Sequence, residues 1–283
     1  MRIRFTKMHG CGNDFVVIDG LTQNIKLTPE KVRHLADRHF GIGCDQLLVV
    51  EAPTRDDMDF RYRIYNNDGN EVEHCGNGAR CFAKFVRDRK LTAKNIINVE
   101  TCNRVLQLRV QKDGRVTVDM GVPTFEPATI PFVADSANAD ACYTLNLNNA
   151  NLKNQTLTIS ALSVGNPHAV LVVDDTKTAP VVELGTQIQQ DSHFPQGVNV
   201  GFMQVLSRSE INLRVLERGV GETLACGTGA CAAVVAGRLR NLLDSCVDVN
   251  LLGGRLTIEW QGPGQPILKT GPATTVFNGQ IRI

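Results

Sequence analysis

The chain of 283 residues has almost no net charge, because 30 Lys and Arg stand against 29 Asp and Glu. The polyphosphate attraction behind nucleic-acid binding therefore has no evident source, and nucleic acid is not an expected partner. Long apolar runs are missing too. The longest, such as 230–237, fall far short of the roughly 20 residues needed to cross a bilayer, so no membrane association is expected. The opening stretch, MRIRFTKMHG, contains no apolar signal region. No G-x-x-x-x-G-K-[ST] phosphate loop occurs, and the Gly-X-Gly turns at Gly10, Gly41, Gly76 and Gly227 never complete G-x-G-x-x-G, so no nucleotide cofactor is implied. C-x-x-C is absent, and the nearest pairs, Cys75-x5-Cys81 and Cys226-x4-Cys231, have no accompanying His cluster. That argues against a metal site and against a redox dithiol. What remains is ordinary for a globular chain: 42% hydrophobic and 21% charged residues, in a length that allows about two domains. Nine cysteines cannot all pair within one chain and suit a reducing cytosol, so a cytoplasmic location is expected.

Short strands dominate the pattern, at 2–5, 15–19, 46–51, 60–65, 105–110, 116–120, 169–173, 212–216 and 256–260. Few helices interrupt them, which places the chain in the α/β (α+β) class. Thr28-Pro29 supplies a cap and a first-turn proline, and Val32, Leu35, Ala36 and His39 follow at helical spacing until Gly41. Two further helices open on glycine-rich turns, with Ala79, Phe82, Ala83 and Val86 along one and Ala230, Ala233, Val234 and Gly237 along the other. The second is apolar almost all round, so 229–238 is expected in the centre of a domain. Prolines at 123, 127 and 131 make 122–131 the expected linker, and the polar stretch 146–155 reads as a surface loop or hairpin tip.

The chain also repeats itself. Cys75-Gly-Asn-Gly-Ala79 recurs as Cys226-Gly-Thr-Gly-Ala230. At the same offset Phe60, Tyr62 and Ile64 fall on Ile211, Leu213 and Val215, Arg63 falls on Arg214, and Glu71 falls on Glu222. With the offset lengthened by two residues, Gly12-Asn13 falls on Gly165-Asn166 and Gln46 on Asn199. A duplication explains this, and the two halves are expected to face each other. A helix start leaves backbone N–H groups unpaired and carries the positive end of the helix dipole, so it binds carboxylates and favours thiolate over thiol. Gly76-Asn77 and Gly227-Thr228 are thus expected to aim N–H groups at one carboxylate, with one sulfur on each face of the carbon that bears it. Two acid/base groups on opposite faces of a stereocentre can invert it.

Taken singly, Asn13, Gln46, Asn66, Asn166 and Asn199 read as turn residues, but their spacing follows the duplication, and as amides they offer donors and acceptors to a small zwitterion. Arg218 suits a carboxylate, and Glu217 suits an ammonium group or a thiol whose pKa it biases; a plain surface ion pair is the alternative. His168 is open between a packed histidine and a residue tuning a cysteine. Among the other thiols, Cys81 and Cys231 read as helix-packing residues, and Cys102, Cys142 and Cys246 as small buried hydrophobes. Cys11 and Cys44 flank the motifs without chemistry of their own.

Along nearly its whole length the sequence resembles the diaminopimelate epimerase family. The resemblance is carried by MHGCGNDF (8–15), GIGCDQLLVVE (41–51), YNNDG (65–69), HCGNGARCFAKF (74–85), VGNPH (164–168), GVNVGFMQV (197–205) and LERGVGETLACGTGACAA (216–233). It implies a cofactor-independent, two-base epimerisation of LL-diaminopimelate to the meso form, in lysine and peptidoglycan-precursor synthesis. Cys75 would be the thiolate that takes the Cα proton and Cys226 the thiol that donates one. Substrate contacts are implied at Asn13, Gln46, Asn66, Gly76, Asn77, Asn166, Asn199, Glu217, Arg218, Gly227 and Thr228, with His168 and Glu217 modulating the cysteine pKa values. The implied fold is two pseudo-symmetric domains, each a curved, mostly antiparallel sheet wrapped around a central helix. Residues 1–126 would carry Cys75, with 272–283 returning to them, and 127–271 would carry Cys226. A homodimer is implied as well, with Phe277 standing where the family places a contact tyrosine. The alternatives are a proline racemase or a phenazine-type isomerase on the same fold, or a noncatalytic metal or thiol-redox protein; the two cysteines and the distal amides favour the first reading.

Overall fold

The computed structural model describes residues 2–72, 76–103, 105–134, 141–147 and 155–283. The chain divides into two compact units, Met1–Asp119 with Thr270–Ile283, and Met120–Lys269. The expected linker is bonded structure. Met120 N–H donates to the Ile267 carbonyl and Ile267 N–H to the Gly121 carbonyl, both at 2.9 Å, while Thr124 and Ser163 exchange two backbone bonds at 2.9 Å. These bonds tie 120–126 to the second unit, so the division falls at Asp119/Met120 rather than 126/127, and at Lys269/Thr270 rather than 271/272.

Four α-helices are described: α1 (Pro29–Ala36), α2 (Gly76–Asp88), α3 (Val181–Gln189) and α4 (Gly227–Leu239). In the first unit Arg2–Gly10 pairs antiparallel with both Thr274–Arg282 and Asn13–Asp19, which runs parallel to Gln46–Glu51. Gln46–Glu51 pairs antiparallel with Phe60–Asn66, which carries short Glu71–Val72 antiparallel and Ile96–Glu100 parallel. Val105–Val110 and Val116–Asp119 complete the sheet, each antiparallel to the strand before it. The second unit repeats this pattern as far as the counterpart of Val105–Val110. Gln155–Ser163 pairs antiparallel with Cys142–Leu147 and Pro167–Val172, which runs parallel to Asn199–Ser207. Glu210–Glu217 follows antiparallel, carrying Gly221–Thr223 antiparallel and Cys246–Leu251 parallel, with Gly254–Glu259 last.

Strand residues alternate between faces, and each sheet is covered on both. In the first unit Ile3, Val16, Ile18, Leu47 and Val49 pack with Val32 and Leu35 of α1. Phe15, Leu48 and Tyr62 turn to α2, so closely that a Cβ on Gly78 would lie 2.3 Å from the Tyr62 hydroxyl. In the second unit Val200, Phe202 and Leu216 pack with Val181, Leu184 and Ile188 of α3. Helix α4 lies against five strands of that sheet and is buried from Gly229 to Gly237. Such burial explains a sequence apolar on every side.

Four local expectations change. Helix α1 starts on its Thr28 cap but ends at Ala36, because the Asp37 carboxylate accepts from His39 and Phe40 N–H and turns the chain. Helix α3 lies where no helix is expected; Gly185 interrupts its pattern, and a Cβ there would sit 2.8 Å from Leu216 Cδ2. Asn146, Leu147 and Gln155 belong to paired strands rather than a loop, and 148–154 lies outside the described residues. Cys102 and Cys246 are exposed and Cys142 half-buried, Cys246 because it points outward at the start of its strand. Among the described residues no helix is long and apolar enough to cross a membrane.

Candidate active site

In the second unit Cys226 is the N-cap of α4, with extended backbone. Its Sγ accepts from Gly229 N–H at 3.4 Å and lies 3.6 Å from Thr228 Oγ1. Glycine at 229 permits this turn, since a Cβ would stand 3.0 Å from Val215 Cγ2 and 3.2 Å from the sulfur. Burial pushes the Cys226 thiol well above the ordinary thiol range, and the Glu217 carboxylate adds to it by disfavouring a second negative charge. The bonds from Thr228 and Gly229 pull the other way without reversing the shift.

The amides of this unit are tied to that turn. Gly165 adopts φ +86°, which glycine tolerates at no cost, and presents Asn166 at the start of the strand Pro167–Val172. Asn166 Nδ2 donates to Thr228 Oγ1 at 3.3 Å, which leaves its Oδ1 facing His168 Nε2 at 3.0 Å. His168 is buried, and burial followed by the nearby Arg218 charge lowers its pKa to about 3. It is therefore a neutral imidazole, with its proton on Nε2 if it is to meet the Asn166 oxygen. Asn199, opposite His168 in the parallel ladder, donates to the Pro167 carbonyl at 3.1 Å and accepts from Arg218 N–H at 2.9 Å. Glu217 accepts from Thr223 Oγ1 at 2.5 Å, and Arg218 donates to the Gln196 carbonyl at 2.7 Å. The two charges thus turn to other partners instead of forming a surface pair.

In the first unit Gly12 adopts φ +87° and presents Asn13, as Gly165 presents Asn166. Asn13 Nδ2 donates to Asp45 Oδ2 at 2.8 Å, and its Oδ1 accepts from Asn77 Nδ2 at 3.4 Å. Asp45 is itself braced. Asp45 and Asp14 exchange backbone-to-carboxylate bonds at 3.0 and 3.1 Å, and Arg38 bridges both carboxylates at 2.7 and 2.8 Å. Burial raises the Asp14 carboxyl, but hydrogen bonds from Arg38 and Lys7 overcome this and hold it below the usual carboxylate range. Gln46 Nε2 donates to Asn66 Oδ1 at 2.8 Å, across an antiparallel pair.

Gly76 opens α2, and Cys75 immediately before it lies outside the described residues. The structure therefore groups Asn13 with Asn77, Gln46 with Asn66, and Asn166 with His168, Thr228 and Cys226. Phe277 stands apart on Thr274–Arg282, half-exposed, with its ring edge-on to Phe5 at 5.9 Å. Sequence reasoning missed Asp45 and Arg80, which bond to Asn13 and Asn77 respectively. A signal was present for Arg80: it is a charged residue set among the apolar positions of α2. Among the described residues no group of His, Cys, Asp and Glu is arranged to hold a metal ion.

The diaminopimelate epimerase family model matches residues 5–126 and 160–276. A diaminopimelate epimerase of Teredinibacter turnerae is 59% identical over 283 residues, covering 100% of both chains. One from Thioalkalivibrio sulfidiphilus is 60% identical over 285 residues, again covering 100% of both. Among solved structures, a hydroxyproline epimerase from Agrobacterium vitis aligns over 99% of this chain and 92% of its own, with TM-score 0.67 at 15% identity. A phenazine biosynthesis protein of the PhzF family from Bacillus anthracis aligns over 100% of both chains, with TM-score 0.66 at 16% identity. These structural likenesses show a common fold, sheet-dominated with few helices.

Proposed function

The chain belongs to the diaminopimelate epimerase family, and from this premise we propose how its residues invert an α-carbon. The protein is an isomerase that epimerises diaminopimelate from the LL to the meso form, a step of lysine and peptidoglycan-precursor synthesis. In our reading Cys75 is the thiolate that removes the α-proton, and Cys226 is the thiol that delivers a proton to the opposite face of the same carbon. The roles exchange in the reverse direction, and the scheme asks for no cofactor.

The observation that carries this reading is the state of Cys226. It sits at the start of a helix, buried, with a carboxylate beside it that keeps the proton on sulfur. An α-carbanion is a far stronger base than a thiolate, so such a thiol still yields its proton once the carbanion forms. The developing charge is eased by N–H groups at the two helix starts, Gly76-Asn77 and Gly227-Thr228, which receive the substrate carboxylate. Asn13, Gln46, Asn66, Asn166, Asn199, Glu217 and Arg218 hold the remaining charged ends, while His168 stays neutral behind Asn166 and, with Glu217, sets the thiol's environment.

We also place the protein in the cytoplasm as a homodimer, with the half-exposed Phe277 ring in the contact; sedimentation of wild type and Phe277→Asp tests this. For the reaction, reduced protein is incubated with LL-diaminopimelate and the stereoisomers are separated. A mixture of LL and meso forms is expected, and unchanged LL substrate would overturn the assignment.

A further inference from the structure

The first unit carries a buried charge that the duplication does not explain. Arg80 on α2 is fully buried, yet among the described residues its guanidinium meets neutral groups: Asn77 Oδ1 at 3.0 Å, the Gly76 carbonyl at 3.4 Å, the Pro272 carbonyl at 3.1 Å and Cys11 Sγ at 3.9 Å. The matching position of α4 is Cys231, also fully buried, so this fold packs its central helix without a cation there. Taking a charge out of water without a counter-charge is expensive. Room has nevertheless been left for it, since a Cβ on Gly10 would lie 3.0 Å from Arg80 Nη2 and 3.3 Å from the Asn77 carbonyl.

The bonds that Arg80 starts show what it does. Arg80 Nη1 donates to Asn77 Oδ1, Asn77 Nδ2 donates to Asn13 Oδ1, and Asn13 Nδ2 donates to Asp45 Oδ2. A guanidinium has no acceptor and a carboxylate no donor, so the two amides between them have one consistent orientation. An apolar residue at 80 takes the donor away from Asn77 Oδ1, while the Asp45 carboxylate still holds Asn13 by its Nδ2. We propose that Arg80 is a positioning residue for the epimerisation: by donating to Asn77 Oδ1 it holds the Asn77 amide in the orientation offered to the substrate. This rests on the reading that Asn13 and Asn77 touch diaminopimelate.

The test compares full-length wild type with Arg80→Met, Arg80→Lys, Asn77→Ala and the double variant Arg80→Met/Asn77→Ala, by kcat, KM for LL-diaminopimelate and thermal midpoint. Arg80→Met, which replaces a buried ion with an apolar chain of similar length, should keep its midpoint within a few degrees. It should lose about tenfold in kcat/KM, most of it in KM, by the usual weight of a charge-assisted bond. Arg80→Lys, with a single ammonium nitrogen in place of the planar fork, should fall between wild type and Arg80→Met. In the Asn77→Ala background Arg80→Met should cost nothing more, because the two act through one chain. The proposal is overturned if kcat/KM of Arg80→Met stays within twofold of wild type, or if the two losses multiply. If Arg80→Met does not fold, an unchanged KM in Arg80→Lys overturns it instead. A wild type inert toward LL-diaminopimelate overturns the functional reading and this proposal with it, whereas an active wild type beside an unaffected Arg80→Met overturns the proposal alone.

Discussion

Asn13 and Asn166 occupy equivalent places in the two units: each follows a glycine in the left-handed region and joins a chain of hydrogen bonds that reaches the start of a central helix. In the first unit the chain runs from Arg80 through Asn77 and Asn13 to Asp45, a cation at one end and an anion at the other. In the second it runs from neutral His168 through Asn166 to Thr228 beside Cys226, and the anion, Glu217, acts on the sulfur itself. Backbone and strand order were kept after duplication while the charges were redistributed: Asn66 became the counterpart of Glu217, and Arg80 of Cys231. Two like scaffolds thereby surround their central helices with unlike charges, which suits the proposed transfer of a proton to one thiol and from the other.

The harshest way to break the comparison is to remove either sulfur. Cys75→Ala and Cys226→Ala should each lower kcat by about 10³-fold or more, within the usual range for loss of an acid or base, with little change in unfolding midpoint. Substantial turnover in one variant alone would mean that the units do not share the chemistry.

A smaller effect sharpens the contrast between Phe15 and His168, which hold matching strand positions opposite Gln46 and Asn199. The His168 pKa of about 3 lies below the roughly 6.5 of an unfolded histidine. As pH falls below 6.5 the unfolded chain takes up a proton that the folded protein refuses, so stability is lost toward acid. The His168→Phe variant should lack this loss, making its decline in unfolding free energy from pH 7 to pH 5 smaller than wild type by about 2 kcal/mol. Parallel pH profiles in urea titrations would show that the imidazole is not held neutral.

The smallest effect probes what the units share. Arg63 binds Glu71 through two bonds at 2.9 and 2.6 Å, and Arg214 binds Glu222 through two at 2.6 and 2.9 Å, bracing the hairpins that bear Asn66 and Glu217. Arg63→Met and Arg214→Met should destabilise the protein by similar amounts, about 1 kcal/mol or less each, as expected for partly exposed pairs. A cost confined to one of them would show that the clamps are not equivalent.

Much of this was legible in the sequence, for physical reasons that differ between residues. The Thr28-Pro29 start, the glycine turns before α2 and α4 and the apolar surround of α4 are local signals, and the helices begin where those signals lie. The duplication was legible because Arg63, Glu71, Arg214 and Glu222 preserve both identity and spacing. Helix α3 was not, since Gly185 and neighbouring β-branched residues speak against a helix, and close packing on Leu216 decides for one. The division of the chain was misplaced because prolines 123 and 127 suggest a linker, whereas hydrogen bonds to Ile267 and Ser163, distant in sequence, tie the segment down. Asp45 and Arg80 escaped notice for the same reason: what they do depends on partners brought to them by the fold.

The most direct test of two unlike thiols is the fate of the α-hydrogen. Reaction of LL-diaminopimelate in deuterated water, stopped at low conversion, should give meso product with one deuterium at the inverted carbon and recovered LL substrate with none, because one sulfur holds the substrate's own proton while the other supplies the solvent's. Deuterium appearing equally in recovered substrate and product would contradict the account, since it would place removal and return of the proton on a single base.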